Sequence, residues 1–198
     1  MQAVFRQQVR SSWPQYASRL SDMAHVEPAD HLEALSVSAV DSINRFANTV
    51  SMDTLETAWQ KLAAAETIWI AASGRTKPVK VYMSYLLTTL GIRSQEMRES
   101  PTEALREVNL IGPKDVLFVV SFAPYGEVSV KLAQEAKSRG IPIVSITDTI
   151  VSPLALDTTL LVTEENLFGF RSLCATMNLT QYLAIEVGLQ REKGLSDG

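Results

Sequence analysis

One cysteine in 198 residues excludes an internal disulfide framework, and Cys174 alone cannot build a thiolate zinc site. Such usage fits a reducing compartment. Histidine is nearly as scarce. His25 and His31 have no second His, Cys or carboxylate at metal-ligand spacing, so both read as solvated and no metal is expected. Cys174 lies among apolar residues on a helix and reads as core. An excess of basic charge is also missing: 18 Lys and Arg against 22 Asp and Glu leave a net −4, which makes the chain a poor nucleic-acid binder by itself. The longest apolar runs are five residues, Val116–Val120 among them. A bilayer span takes about 20, so no membrane helix is expected. Met1-Gln2-Ala3-Val4-Phe5-Arg6 puts Gln and Arg where a secretory signal needs its apolar stretch, and a cytoplasmic protein is the expectation. There is no internal repeat, no low-complexity tract, no Walker A sequence and no full G-x-G-x-x-G, so no cofactor is expected.

What is present is an ordinary globular composition, 46% apolar and 20% charged, in two unequal parts. Residues 1 to about 66 carry helical spacing only. Val9, Trp13, Tyr16, Leu20 and Met23 form one stripe, with Pro14 a kink within it. After Pro28, Leu32, Leu35, Ala39, Ile43, Phe46 and Val50 share one helical face. Asp53 with Glu56 predicts a further helix start by a capping-box-like pair. From Thr67 short apolar runs alternate with helical segments. The expected strands are 67–71, 93–98, 116–121, 141–147 and 158–162, and the expected helices 77–90, 101–109, 127–139 and 170–189. Ser100-Pro101-Thr102-Glu103 is a helix start with a Ser cap, and Gly91 and Gly140 end helices just before strands. Strict β/α alternation implies an α/β fold, a parallel sheet with helices on both faces. Residues 81–92 and 172–185 carry no charge. A helix without a polar stripe needs a second cover, either a partner subunit in a homodimer or higher oligomer, or the N-terminal helices of the same chain.

In an open parallel sheet ligands bind beyond the C-terminal strand ends, so the loops that follow strands are the ones to read. After the first comes Ala72-Ser73-Gly74-Arg75-Thr76-Lys77-Pro78. Gly74 lets the backbone approach a ligand, Ser73 and Thr76 offer hydroxyls, Arg75 or Lys77 adds charge, and the next helix offers free N–H groups. That is an anion cradle or an ordinary βα turn with a Ser/Thr cap. After the third come Ser121-Phe122-Ala123-Pro124-Tyr125-Gly126-Glu127, where Ser121 stands at the strand end and Tyr125 could stack on a sugar or close a pocket. After the fourth, Asp148 and Thr149 could take ligand hydroxyls, and Ser152-Pro153 reads as a helix cap. Glu164, Glu165 and Asn166 read as a solvated loop.

These segments resemble the SIS (sugar isomerase) domain, most closely the effector domain of RpiR-type bacterial transcriptional regulators. The resemblance lies in Ile68 to Thr76, Val120 to Tyr125, Ile146 to Ala155 and Gly169 to Met177, and it covers about residues 30–190. It implies a five-stranded parallel sheet in flavodoxin-like order between helices, dimerisation, and a phosphosugar held at the strand ends. Thr76 occupies the place of the family's phosphate-contacting Ser/Thr, and Ser121 that of the first hydroxyl of a Ser/Thr-rich loop. Ala123, Pro124 and Gly126 replace the other characteristic positions, as in a subset of the regulators with a Ser-Phe-x-Pro-Tyr loop, which widens the ligand class to a sugar acid or another small anion. The implied ligand residues are Ser73, Gly74, Arg75, Thr76, Ser121, Tyr125, Asp148 and Thr149. The implied divisions are an N-terminal helical extension 1–50, an SIS-type ligand-binding domain 51–190 and a C-terminal tail 191–198.

The regulators also carry an N-terminal helix-turn-helix domain, absent from this chain, and Phe5 to Met23 looks like the helix that links it to the sensor. DNA would therefore be met only through an upstream domain. The leading expectation is a sensor of a small anionic, sugar-like ligand. The alternative is an aldose–ketose phosphosugar isomerase, which needs a base beside the carbonyl. No His follows His31, which leaves Glu127, Glu164 and Glu165 as candidates and no catalytic residue assigned. A third reading is an assembly module with an empty pocket.

Overall fold

The structure is a computed structural model that describes residues 18, 20, 21, 27–156 and 158–196. The stripe residues Val9, Trp13, Tyr16 and Met23, together with Pro14 and His25, lie outside the described residues. The Phe5 to Met23 linker helix falls there too, apart from the three isolated positions.

Two helices open the described chain, α1 Pro28–Thr49 and α2 Met52–Ala64. The start of α2 differs from expectation. Ser51, not Asp53, is the cap, and its hydroxyl accepts the Thr54 N–H at 3.4 Å. A small hydroxyl just ahead of the first helical residue wins over a carboxylate inside the first turn.

The strands follow as β1 Ile68–Ala72, β2 Ser94–Glu96, β3 Val116–Val120, β4 Ile143–Thr147 and β5 Thr159–Leu161. All pair in parallel in the order β2-β1-β3-β4-β5. Connecting helices are α3 Lys77–Thr89, α4 Pro101–Glu107 and α5 Glu127–Ser138, and α6 Cys174–Ser196 closes the chain. Every residue of β3 and β4 is buried, because helices lie on both faces. In β3, Val116, Phe118 and Val120 face one core with Leu62, Met83 and Leu183, while Leu117 and Val119 face the other with Leu132 and Ala136. The chain reverses its winding between β1 and β3, which sets a crevice at their C-terminal ends.

Gly91 and Gly140 each take φ +69° after a helix, a left-handed stop that suits a residue without Cβ. At the opposite end of the sheet Asp115 accepts from the Thr67 and Gly112 N–H groups and from the Trp69 indole, and so ties β1 to the turn before β3. Ser100 precedes α4 without a side-chain cap bond, unlike the expected Ser cap. Glu103 instead bonds Arg98.

The last helix starts four residues later than expected and runs past 189 to Ser196. Two short strands, β6 Asn166–Leu167 and β7 Phe170–Arg171, pair antiparallel ahead of it. The hairpin turn uses Phe168 and Gly169, both at positive φ. Arg191, on the helix and half-buried, donates to the carbonyls of Ala63 and Ala65 at the end of α2, and burial pushes its guanidinium down from the ordinary value. Helices α3 and α6, which hold most of the uncharged stretches 81–92 and 172–185, pack on each other, and α1 and α2 pack on α6, so the same chain covers much of them. Val81, Tyr85, Ile185 and Leu189 stay exposed. No helix among the described residues is long and apolar enough to cross a membrane.

Candidate functional site

Three loops meet at the crevice. The one after β1 leaves the sheet through Ser73 and makes a short 3-10 turn over Gly74, Arg75 and Thr76 into α3, with Gly74 at φ +56°. Thr76 is buried, and its hydroxyl is shared between the carbonyls of Val120 at 3.1 Å and Ser73 at 3.0 Å. It pins the first loop to the end of β3. Arg75 reaches the same loop from outside and donates to the Ala123 carbonyl at 3.0 Å. Lys77 turns away and pairs with Glu99 at 2.8 Å, a bond that raises its ammonium pKa. Of the two cations expected in this cradle, only Arg75 stands over the crevice.

The loop after β3 is built around Ser121 and Gly126. The Ser121 hydroxyl, buried at the strand end, accepts the Gly126 N–H at 3.1 Å. A Cβ at Gly126 would stand 3.0 Å from the Ser73 hydroxyl oxygen, 3.5 Å from that of Ser129 and 3.9 Å from that of Ser121. Three serine hydroxyls therefore lie close around Gly126, and a side chain at 126 would crowd them. Gly126 is also the first boundary residue of α5, and no side chain caps that helix, so its leading N–H groups face the same region. The Ala123–Pro124 peptide is cis.

Asp148, at the end of β4, is tied to that loop rather than free for a ligand. It accepts the Ala123 N–H at 3.0 Å and the Tyr125 phenol at 2.8 Å, with the Thr147 hydroxyl at 3.4 Å. Burial pushes the Tyr125 phenol above its ordinary 10.0, and the Asp148 carboxylate adds to the rise. The neutral phenol is thus favoured by the fold. That stability is complete below about pH 10 and is lost as pH climbs through the folded-state value. The expected result is that wild type loses stability above about pH 10 more steeply than Tyr125→Phe, read from denaturant midpoints on either side of that pH.

Thr149 shapes its own turn, where its hydroxyl accepts the Val151 N–H at 3.4 Å and its carbonyl the Ser152 N–H. No helix follows Ser152. That hydroxyl is buried, accepts from Thr147 at 2.8 Å and from the Leu154 N–H, and stabilises a turn in place of the expected cap.

Several residues differ from the sequence reading. Glu164 is buried, and one carboxylate oxygen accepts both the N–H and the hydroxyl of Thr176 at 2.7 Å, which caps α6 from a distance. Its other oxygen is buried without a partner. Cys174 is exposed, because it opens α6 instead of lying within it. His31 is half-buried, its ring edge-on to Phe168 at 5.4 Å between centroids, because the hairpin folds back onto α1. Arg171 was not singled out as a site residue. It pairs with Asp148 at 3.5 Å and lies over the Phe122 ring at 5.6 Å. The hint in the sequence is one cation, Arg171, inside an otherwise neutral stretch from Asn166 to Ile185.

The crevice thus joins the tips of β1, β3 and β4 through side-chain bonds. It is rich in donors: hydroxyls, helix N–H groups and guanidinium. Such a surface suits the oxygens of a small anion.

Comparison with known proteins gives a consistent picture. The SIS domain family model matches residues 61–186. The sugar isomerase domain of the RpiR transcription factor from Sphaerobacter thermophilus superposes with a TM-score of 0.73 at 22% identity, over 79% of this chain and 89% of that one. NanR of Vibrio vulnificus, solved in complex with ManNAc-6P, gives 0.69 at 20% identity over 92% and 69%. The phosphoheptose isomerase GmhA from Neisseria gonorrhoeae gives 0.68 at 12% identity over 81% and 99%. No curated protein sequence matches the chain. At these identities the structural likeness establishes the fold.

Proposed function

Because the chain belongs to the SIS domain family, we propose that it senses a small anionic ligand, a phosphosugar or a sugar acid, as the effector domain of an RpiR-type transcriptional regulator. The observation that carries this is the cluster of Ser73, Ser121 and Ser129 hydroxyls around Gly126, at the uncapped start of α5. Arg75 stands over the same loop. The supporting likenesses are a regulator's sugar isomerase domain and NanR, the latter solved with a sugar phosphate. Occupancy would act through a homodimer, with a second copy covering the exposed Val81, Tyr85, Ile185 and Leu189. DNA would be met through an upstream domain. Binding shifts such an assembly only by differential affinity for its two arrangements.

The carboxylates considered as bases favour sensing over isomerisation. Glu127 is exposed and held low by its bond to Lys131. Glu164 is buried with one oxygen on Thr176 at the start of α6, and Glu165 pairs with Arg45 at 2.7 Å. A general base must be free to reach the substrate proton. One observation favours the isomerase reading: the buried Nε2 of His31 has no hydrogen-bond partner.

The test is a thermal-shift and calorimetry panel of phosphosugars, sugar acids and their neutral parents. A sensor is stabilised by about 2.7 kcal/mol at a ligand concentration of one hundred times Kd. The neutral parents should give little shift. If no acidic sugar stabilises the chain, sensing is refuted. Turnover of aldose or ketose phosphates, lost in His31→Gln, would replace it with the isomerase.

A further inference from the structure

Arg171 is the second cation at the crevice, and its bonding is incomplete. Its side chain is 18% exposed. Nε and Nη1 are buried, and neither has a hydrogen-bond acceptor. The nearest anion, the Asp148 carboxylate, stays 3.5 Å from Nη1. Asp148 is anchored at that distance by the Ala123 N–H and the Tyr125 phenol, which its oxygens accept. The Phe122 ring lies 5.6 Å from the guanidinium carbon but accepts no N–H bond of comparable strength. Buried donors on a permanent charge are costly when unpaired, and proteins retain them where something else supplies the acceptor. Arg75 and Arg171 both attach to residue 123, one at its carbonyl and the other through Asp148 at its N–H. The two guanidinium groups therefore flank the same loop.

We propose that Arg171 is a second anion-recognition residue of this site, one that takes a carboxylate or phosphate oxygen of the ligand and so selects acidic over neutral sugars. This rests on the sensing reading above. Asp148 acts as the positioning residue that holds the guanidinium in place without satisfying it. The planar fork on an aromatic face suits an oxyanion better than an ammonium would.

The experiment is calorimetry on the whole chain with three probes, arabinose 5-phosphate, gluconate and neutral arabinose, on wild type, Arg75→Ala, Arg171→Gln and Arg171→Lys. Arg171→Gln should weaken the acidic probe that binds by roughly tenfold to a hundredfold and flatten the salt dependence of that binding. Which acidic probe responds tells phosphate from carboxylate. An acidic-probe affinity that stays within about twofold in Arg171→Gln, while Arg75→Ala weakens it, overturns the role of Arg171 and leaves the sensing site standing. Equal losses for neutral arabinose would mark a structural role and overturn it as well. If Arg171→Gln does not fold, Arg171→Lys decides: unchanged affinity for the acidic probe overturns the role. Failure of both acidic probes to bind wild type overturns the sensing reading and this inference together.

Discussion

Changing Arg75 to Ala together with Thr76 to Val is expected to weaken the binding of an acidic sugar by about fivefold or more. The lost guanidinium contact is worth about 1–3 kcal/mol if the ligand uses it. The two residues contribute differently. Arg75 is exposed and bonds the Ala123 carbonyl, so its loss should fall mainly on affinity. Thr76 is buried, and its one proton already goes to the Val120 or the Ser73 carbonyl. Val is close in shape but leaves a buried carbonyl without that donor, at about 1 kcal/mol of stability. The single variants should therefore separate, Arg75→Ala in calorimetric affinity and Thr76→Val in the denaturant midpoint. A double variant that answers every acidic sugar as wild type does would favour the assembly module over the sensor.

Asp148→Ala should have the largest effect on stability among the residues of the crevice. Its carboxylate accepts a backbone N–H and a phenol, and it is the counter-charge of Arg171. All of these groups are at most half-exposed. Removing the carboxylate strands donors that water reaches poorly, and the expected loss is about 2–4 kcal/mol in unfolding free energy. Asp148→Asn keeps one oxygen acceptor but not the charge and should lie between the two. A loss below about 0.5 kcal/mol in Asp148→Ala would mean that these bonds carry no weight in solution. Such a variant should also lose ligand-induced stabilisation, since the loop that bears Gly126 is anchored through Ala123 and Tyr125.

Most of the scaffold could be read before the coordinates. Strands β3 and β4 are continuous apolar runs because they are covered on both faces, and Gly91 and Gly140 mark helix ends through their left-handed backbone. Loops Ser73 to Thr76 and Ser121 to Gly126 follow strands, and general sheet geometry places them at the crevice. What escaped depends on contacts remote in sequence. Glu164 looks like one of two exposed acids until α6 brings Thr176 to it. Arg171 sits on a two-residue strand that has no periodicity to detect, and its meaning comes from Asp148 and Phe122, tens of residues earlier. Cys174 reads as core from its apolar neighbours, but the helix begins at that residue and not at 170, which leaves the side chain exposed at its first turn. Lys77 has the right charge for the cradle, but Glu99 lies within its reach.

The hairpin that carries Arg171 is also fastened to α1. Phe168 meets the His31 ring, Glu165 pairs with Arg45, and the Glu165 N–H donates to the Ser42 hydroxyl at 3.4 Å. The hairpin thus touches α1 at His31, Ser42 and Arg45, a span of roughly 20 Å at 1.5 Å of rise per residue. A small shift of the hairpin would therefore push on several turns of that helix together and carry it as a rod.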